Sequence, residues 1–485
     1  MSVSMTQGAS GVRAANEEPQ TFQRRLDAKL IAAIVAAGSL SFSAVVFETA
    51  MNVALPALMQ EFAVDTATIQ WITSGYLLML SVMIPTFSFL KARFRLRRLF
   101  IVAVSLFLTG TILCAAAPAF PVLLAGRVVQ GMGTGIAIPL MFSIVVDQVP
   151  HEQMGLMMGV ASLITSIAPA VGPSYGGIVM ELAGWRMVFV CLVPLLVLSF
   201  VVGSLCVRQA TPLSRPRFDA VGFVLLAVCF FSLILGINVA SREGIGLSSG
   251  VIAAVFVVSL VLFACHIRRS DHPLIKPQLF GCPAFVASVV VVAAIAFAIL
   301  GFAYLVPNYA QLALGASASL SGTLLLPGCI LVAVCAPLGG RVLDRVGAGA
   351  PIVLGMVLLL ASCVLYLLFA DVLTPELMMA FYIFFGVGQG FGMSTSMTHG
   401  LSCLSEELRT DGSSVFNTLQ QLGGSVGVSA VTAVVGAAQA GAVSMEAGTA
   451  AGGKMAFMLL TAVIAGAVVA NVVAFYAKRR QSGRA

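Results

Sequence analysis

LIAAIVAAGSLSFSAVVFETAMNVALPAL, residues Leu30–Leu58, is an apolar run that carries a single charge, Glu48. Read as a helix rising about 1.5 Å per residue, it is long enough to cross the roughly 30 Å hydrocarbon core of a bilayer. At that pitch Ser41, Glu48 and Asn52 share one face, while Leu, Val and Ala cover the others. A carboxylate in hydrocarbon costs about 2.5–3.5 kcal/mol on insertion scales, so it is expected to face a protein interior or an aqueous cavity. That placement makes Glu48 a candidate proton carrier. The alternative is an acid that only joins two helices through a hydrogen bond.

The rest of the chain repeats the pattern. Of 485 residues, 59% are hydrophobic and 9% charged, whereas soluble globules carry about 25% charged residues. With a mean hydropathy of +1.04, this is a polytopic membrane protein, all-α by span length. The net charge of +7 therefore argues for no nucleic-acid partner until the positions of the charges are known. Ten cysteines are scattered without a CxxC pair, many of them inside apolar runs, and read as small hydrophobes rather than disulfides or metal ligands. His151, His266, His272 and His399 fall at or near segment ends, which argues against a His relay in mid-membrane. No P-loop is present, and the glycines Gly386, Gly388, Gly390 and Gly392 lack the strand and ribose-binding acid of a dinucleotide site. No cofactor and no metal are expected.

Runs long enough to span fall near residues 30–58, 67–90, 99–119, 121–146, 154–181 and 186–207, then 218–238 and 247–267, then 283–312, 319–340, 349–370, 375–398, 413–437 and 455–477. This grouping of six, two and six predicts a cytoplasmic tail at 1–28, an N-terminal bundle at 29–207 and a linker with two extra spans at 208–282. A C-terminal bundle at 283–478 and a tail at 479–485 complete it. With the amino terminus inside, the outer loops hold only Arg186, Arg242 and Lys454. Of 26 Lys and Arg, setting aside those three and the buried Arg127 leaves 22 inside, which places both termini in the cytoplasm. Trp71 and Trp185 lie at outer span ends, where they read as interfacial anchors at least as readily as ligand contacts.

Arg127, in span four, is the only basic residue well inside a span. It lies roughly 9 Å from the outer end, and Glu48 roughly 15 Å from the outer end of span one. Those depths allow electrostatic contact, and Gln130 and Thr134 share the face of Arg127. Burial disfavours an ionised Glu48 and a nearby guanidinium favours it, so the balance stays open at this point. Snorkelling of Arg127 to the surface is the competing reading. Span five carries Gly159, Ala168, Pro169, Gly172, Pro173, Gly176 and Gly177, a composition suited to close packing and bending.

These motifs resemble the major facilitator superfamily and, within it, the fourteen-helix drug:proton antiporter family, over essentially the whole chain after the tail. Glu48, Thr49, Asn52, Val53, Ala54, Leu55 and Pro56 are similar to that family's span-one signature, with Glu where Asp is usual. Leu124, Arg127, Gln130, Gly131 and Gly133 resemble its span-four motif, whose Arg is associated with proton coupling. Gly159, Gly172, Pro173, Gly176 and Gly177 resemble its span-five antiporter motif, which implies export by exchange. Trp185, Arg186, Phe189 and Pro194 match the start of span six. The loop after span two departs from the family's gate motif, keeping Arg93 but losing the Asp and both Gly. The later copy retains Gly340, Asp344, Arg345 and Gly347.

Thr49 and Asn52 with Tyr304, Asn308, Gln311, Asn417 and Gln420 supply candidate substrate contacts, although amides also serve to join helices. The expectation is a proton-coupled exporter of amphipathic small molecules, a single chain in the cytoplasmic membrane that works by alternating access. Proton-coupled uptake, or export of a specific metabolite, lipid or siderophore, is the alternative within transport. A non-transporting sensor is the alternative outside it. An enzyme is disfavoured, because Glu48 has no buried acid, His or Cys partner with which to form a catalytic set.

Overall fold

A computed structural model of the chain describes residues 27–209, 213–214, 217–244, 246–270, 273–347 and 349–482. The expected tail at 1–28 lies outside the described residues up to residue 26, as do residues 483–485. Thirteen helices among the described residues are long and apolar enough to cross a membrane. The segment expected as span five is one further continuous helix, His151–Ala183, which runs for 33 residues.

In chain order the first half comprises α1 (Ala28–Phe62), α2 (Thr66–Arg93), α3 (Leu96–Ala115), α4 (Phe120–Gln148), α5 (His151–Ala183) and α6 (Trp185–Cys206). Two central helices follow, α7 (Ala220–Ala240) and α8 (Leu247–Arg269). The second half comprises α9 (Pro283–Leu312), α10 (Ala318–Leu343), α11 (Gly349–Leu368), α12 (Pro375–Ser402), α13 (Glu406–Ala440) and α14 (Met445–Asn471).

The helix boundaries follow local chemistry. The Asp27 carboxylate caps α1 by accepting from the Leu30 N–H at 2.8 Å, and that bond holds its carboxyl below the usual range. Pro85 falls in a 3-10 turn, Ile84–Thr86, within α2. Gly184, at φ 83°, ends α5 in a left-handed conformation that a side chain would strain.

Burial sorts the helices by depth. In the most apolar stretch of α1 and of α9, 72% of residues are buried, against 17% in α8. The first helix of each half therefore lies at the centre, while α8 rides on the periphery against α7. Within the first half α3 packs on α4 and α1 on α5; within the second, α9 packs on α13 and α12 on α10 and α11. The halves meet along α1 with α9, α2 with α13, and α5 with α10.

One face of the molecule is basic and tied by Lys91 to Asp147 at 2.7 Å and by Arg208 to Asp27 at 2.8 Å. Arg186 with Glu61 at 2.7 Å and Lys454 with Asp371 at 2.6 Å mark the opposite face. The central helix α7 touches both halves, packing Leu226, Cys229 and Phe230 with Val82 of α2 and Leu422 of α13.

Candidate functional site

Glu48 lies two-thirds of the way along α1 and is 5% exposed. Its neighbours on the same helix face, Ser41 and Asn52, are also buried. The amide of Gln421, on α13 of the other half, lies near the Glu48 carboxyl. The one acid in the middle of the first half thus has a neutral polar group of the second beside it.

Arg127 is fully buried, which excludes snorkelling. Glycines of α4 bring its neighbours close. A Cβ on Gly131 would fall 2.7 Å from the Tyr76 carbonyl oxygen of α2, and one on Gly133 would fall 2.7 Å from the Ala103 carbonyl oxygen of α3. In this tight setting the Arg127 Nε–H donates to the Ile72 carbonyl at 3.1 Å, and one Nη donates to Gln130 Oε1 at 2.9 Å. Gln130 in turn donates to the Thr111 hydroxyl at 2.9 Å. The guanidinium lies over the Tyr76 ring, 4.2 Å from its centroid, and its other Nη has no protein partner. Arg127 makes no ion pair with Glu48; its charge acts on the carboxyl through space. Within a low-dielectric interior such an interaction is far stronger than in water.

Polar contacts also join the halves toward the face opposite the basic one. Asn308 donates to the Asn52 carbonyl at 3.0 Å and Gln311 to the Val53 carbonyl at 3.1 Å. Ser74 and Ser429 share a hydrogen bond at 2.8 Å, and Thr66 donates to Gln439 at 2.6 Å. Ser174 donates to the Gly322 carbonyl at 3.3 Å, and the Glu181 carboxylate accepts from the Ser319 N–H at 3.0 Å.

The glycines of α5 serve the same junction. A Cβ on Gly172 would strike the Thr49 hydroxyl, and one on Gly176 would lie 2.7 Å from the Ala50 carbonyl oxygen, so both press α5 on α1. Gly177 meets the Ala318 carbonyl of α10, and Gly322 of α10 meets the carbonyl of Pro173. Helix α5 therefore lies closely against both halves at once.

A family model described as Major Facilitator Superfamily matches residues 37–428. The chain belongs to the major facilitator superfamily. It is 34% identical over 402 residues to an uncharacterized MFS-type transporter, YhcA, of Bacillus subtilis, covering 81% of this chain and 74% of that protein. It is 31% identical to the lincomycin resistance protein LmrB of Listeria monocytogenes, covering 92% of this chain and 93% of that protein. Among solved structures it is similar to a bacterial homolog of the human lysosomal transporter Spinster, with a TM-score of 0.67 and 15% identity over 92% of this chain and 97% of that one. A peptide transporter POT crystallised with sulfate also gives 0.67, at 14% identity over 92% and 94%. At those identities the likeness speaks for the fold alone.

As a multi-pass member of this superfamily, the transporter takes a small-molecule substrate through the bilayer. Of the expected substrate contacts, Thr49, Asn52, Tyr304 and Asn308 are buried. Thr49 bonds to its own helix at the Val45 carbonyl, 3.2 Å, and Asn52 accepts from Thr73 at 3.1 Å. Gln311, Asn417 and Gln420 are half-buried. Tyr304 and Asn308 thus sit in the packing between α9 and its neighbours, whereas Asn417 and Gln420 keep accessible surface.

At the basic face Arg93 is exposed, and Lys91, two residues earlier, makes the loop's ion pair with Asp147. Gly347, at φ 88°, ends the helix that carries Gly340 and the exposed Arg345. The surroundings of Gly159 and of the Asp344 side chain lie outside the described residues.

Trp185 is buried against the protein. Its indole N–H donates to Glu61, which Arg186 also binds. Gln421 shares the face of the expected pocket residues Asn417 and Gln420, whereas Tyr76 was not among the expected site residues. A phenol four residues after Ile72 was the available signal for Tyr76.

Proposed function

We propose that this transporter is a proton-driven exporter of amphipathic small molecules across the cytoplasmic membrane, with both termini inside and two six-helix halves that rock about a central site. The observation that carries the reading is Glu48: an acid buried in mid-span with Gln421 of the opposite half nearby, under the field of an Arg127 that makes no ion pair among the described residues. Ionised, Glu48 accepts a charge-assisted hydrogen bond, which is roughly twice as strong as a neutral one. Protonation weakens both that bond and the attraction to Arg127, so the proton is felt at the junction between the halves. The close seat of α5 on α1 and α10, together with relatives named for lincomycin resistance, supports export and an amphipathic substrate.

The test uses proteoliposomes with an imposed pH gradient, offering lincomycin or the permanent cation tetraphenylphosphonium as substrate. Wild type should export uphill, and Glu48→Gln, which keeps the size and removes the titration, should not. One buried acid implies one exchanged proton. A membrane potential alone then drives export of a neutral compound, at about 2.3 kcal/mol per 100 mV for each charge moved, and gives a monovalent cation no direct drive. Uphill export by Glu48→Gln, or a stoichiometry of two protons, overturns the single-carrier mechanism.

A further inference from the structure

Two hydrogen bonds and a ring link Arg127 to the turn of α1 that bears Glu48. In an α-helix each carbonyl accepts from the N–H four residues later. The Arg127 Nε–H donates at 3.1 Å to the Ile72 carbonyl, the acceptor of the turn that ends at Tyr76. The Tyr76 hydroxyl donates at 3.0 Å to the Ala44 carbonyl, the acceptor of the turn that ends at Glu48. Each side chain thus grips the turn that carries the next. Between them the guanidinium lies 4.2 Å from the centroid of the Tyr76 ring.

The Tyr76 hydroxyl is also 2.9 Å from that of Thr134, whose single proton reaches the Tyr76 oxygen or, at 3.0 Å, the Gln130 carbonyl. Tyr76 is therefore fixed to α4 at its ring and its hydroxyl, and to α1 at its hydroxyl. No side chain of α1 receives a hydrogen bond from Arg127.

We propose that Tyr76 is a positioning residue for proton coupling: its ring seats the Arg127 guanidinium, and its hydroxyl holds the Glu48 turn of α1 in register with that charge. The inference deepens the proton-exchange reading and rests on it. Separation of the two opposite charges governs how strongly they interact, so a device that sets the distance sets how much protonation of Glu48 changes the energy of the junction. Binding and passage of substrate do not need that device, whereas coupling them to the proton does.

Tyr76→Phe keeps the ring over the guanidinium and deletes the bond to Ala44. Two transport modes are compared in proteoliposomes, each normalised to the protein inserted: uphill export on a pH gradient, and downhill exchange of labelled for unlabelled lincomycin without one. Loss of one buried hydrogen bond should lower the uphill mode by about tenfold and leave the downhill mode within about twofold of wild type. An equal fall in both modes marks a merely structural role and overturns the inference, as does no change in the uphill mode. If Tyr76→Phe fails to insert, Thr134→Val, which frees the phenol from α4, should give the same split at about threefold, and equal effects on both modes overturn it. Glu48→Gln measured beside them separates the two readings, because uphill export by that variant defeats proton exchange through Glu48 whatever Tyr76 does.

Discussion

The two halves of this transporter solve the same packing problem with different chemistry. Helices α1 and α9 open their halves and are equally central, yet α1 carries an acid while the polar residues of α9 at the junction, Asn308 and Gln311, are neutral. Helix α4 holds a fully buried arginine. Its counterpart α12 holds glycines: a Cβ on Gly388 would lie 2.7 Å from the Leu359 amide nitrogen of α11, and one on Gly390 would lie 2.8 Å from the Cys335 Cβ of α10. Glycine-mediated close packing is common to both halves, whereas buried charge among the described residues is concentrated in the first. In the proposed mechanism the first half is therefore the proton sensor, and the second is a follower that reads it through uncharged groups.

Removing the arginine is the most severe way to break that asymmetry. Arg127→Ala leaves both halves without a buried cation, and the span remains amply apolar, so insertion should stay within about twofold of wild type. Uphill export should fall to the background set by Glu48→Gln. The guanidinium's loss leaves Gln130 Oε1 without its donor, while the Ile72 carbonyl keeps its helical bond, and a buried unsatisfied group costs about 1–3 kcal/mol. Membrane abundance by immunoblot and gradient-driven flux in vesicles decide the point. Full uphill export by a well-inserted Arg127→Ala protein would put the sensor elsewhere.

A smaller loss is expected on the follower side. Gln421→Leu removes the amide of the second half that lies near Glu48 and keeps the side chain's bulk. Hydrogen bonds to charged groups contribute about 1.5–3 kcal/mol, so a tenfold or greater fall in uphill export is expected, with Gln421→Glu worse still because a second acid beside Glu48 repels it. Gln421→Asn, shorter by one methylene, should recover only part. If Gln421→Leu exports uphill like wild type, the halves communicate through some other contact.

Much of this was legible in the chain itself. A lone charge inside a 29-residue apolar stretch has few explanations, so Glu48 and Arg127 stand out by composition, and the span count follows from length. What stayed hidden depends on which face each helix turns to which neighbour. Asn308 and Gln311, candidate substrate contacts in the sequence, bond to the backbone of α1, a pairing that only the packing of α9 on α1 reveals. The phenol of Tyr76 is visible in the sequence, but its place beside Arg127 comes from the close approach of α2 to α4 at Gly131, a tertiary fact. Likewise the altered loop after α2 suggested Arg93, and the ion pair is made by Lys91, whose position in the last turn of that helix segment lies across from Asp147 of α4.

The mildest test separates the amides of the second half from one another. Asn308 is buried and donates both to Asn52 and, at 2.7 Å, to the Tyr304 carbonyl, so it behaves as structure. Gln420 is half-buried on the helix that meets Glu48, so its surface is available to a ligand. An orienting hydrogen bond to substrate is worth about 1 kcal/mol, a factor of about five in affinity. Gln420→Leu should therefore reorder the preference among substrates by about fivefold, favouring the more apolar, while total protein and coupling stay unchanged. Asn308→Leu should lower the amount of protein in the membrane and leave the order of substrates as it was. Competition assays across a panel of compounds graded in polarity read the difference. The reverse outcome, reordering by Asn308→Leu with none by Gln420→Leu, would move the binding surface from α13 to α9 within the second half.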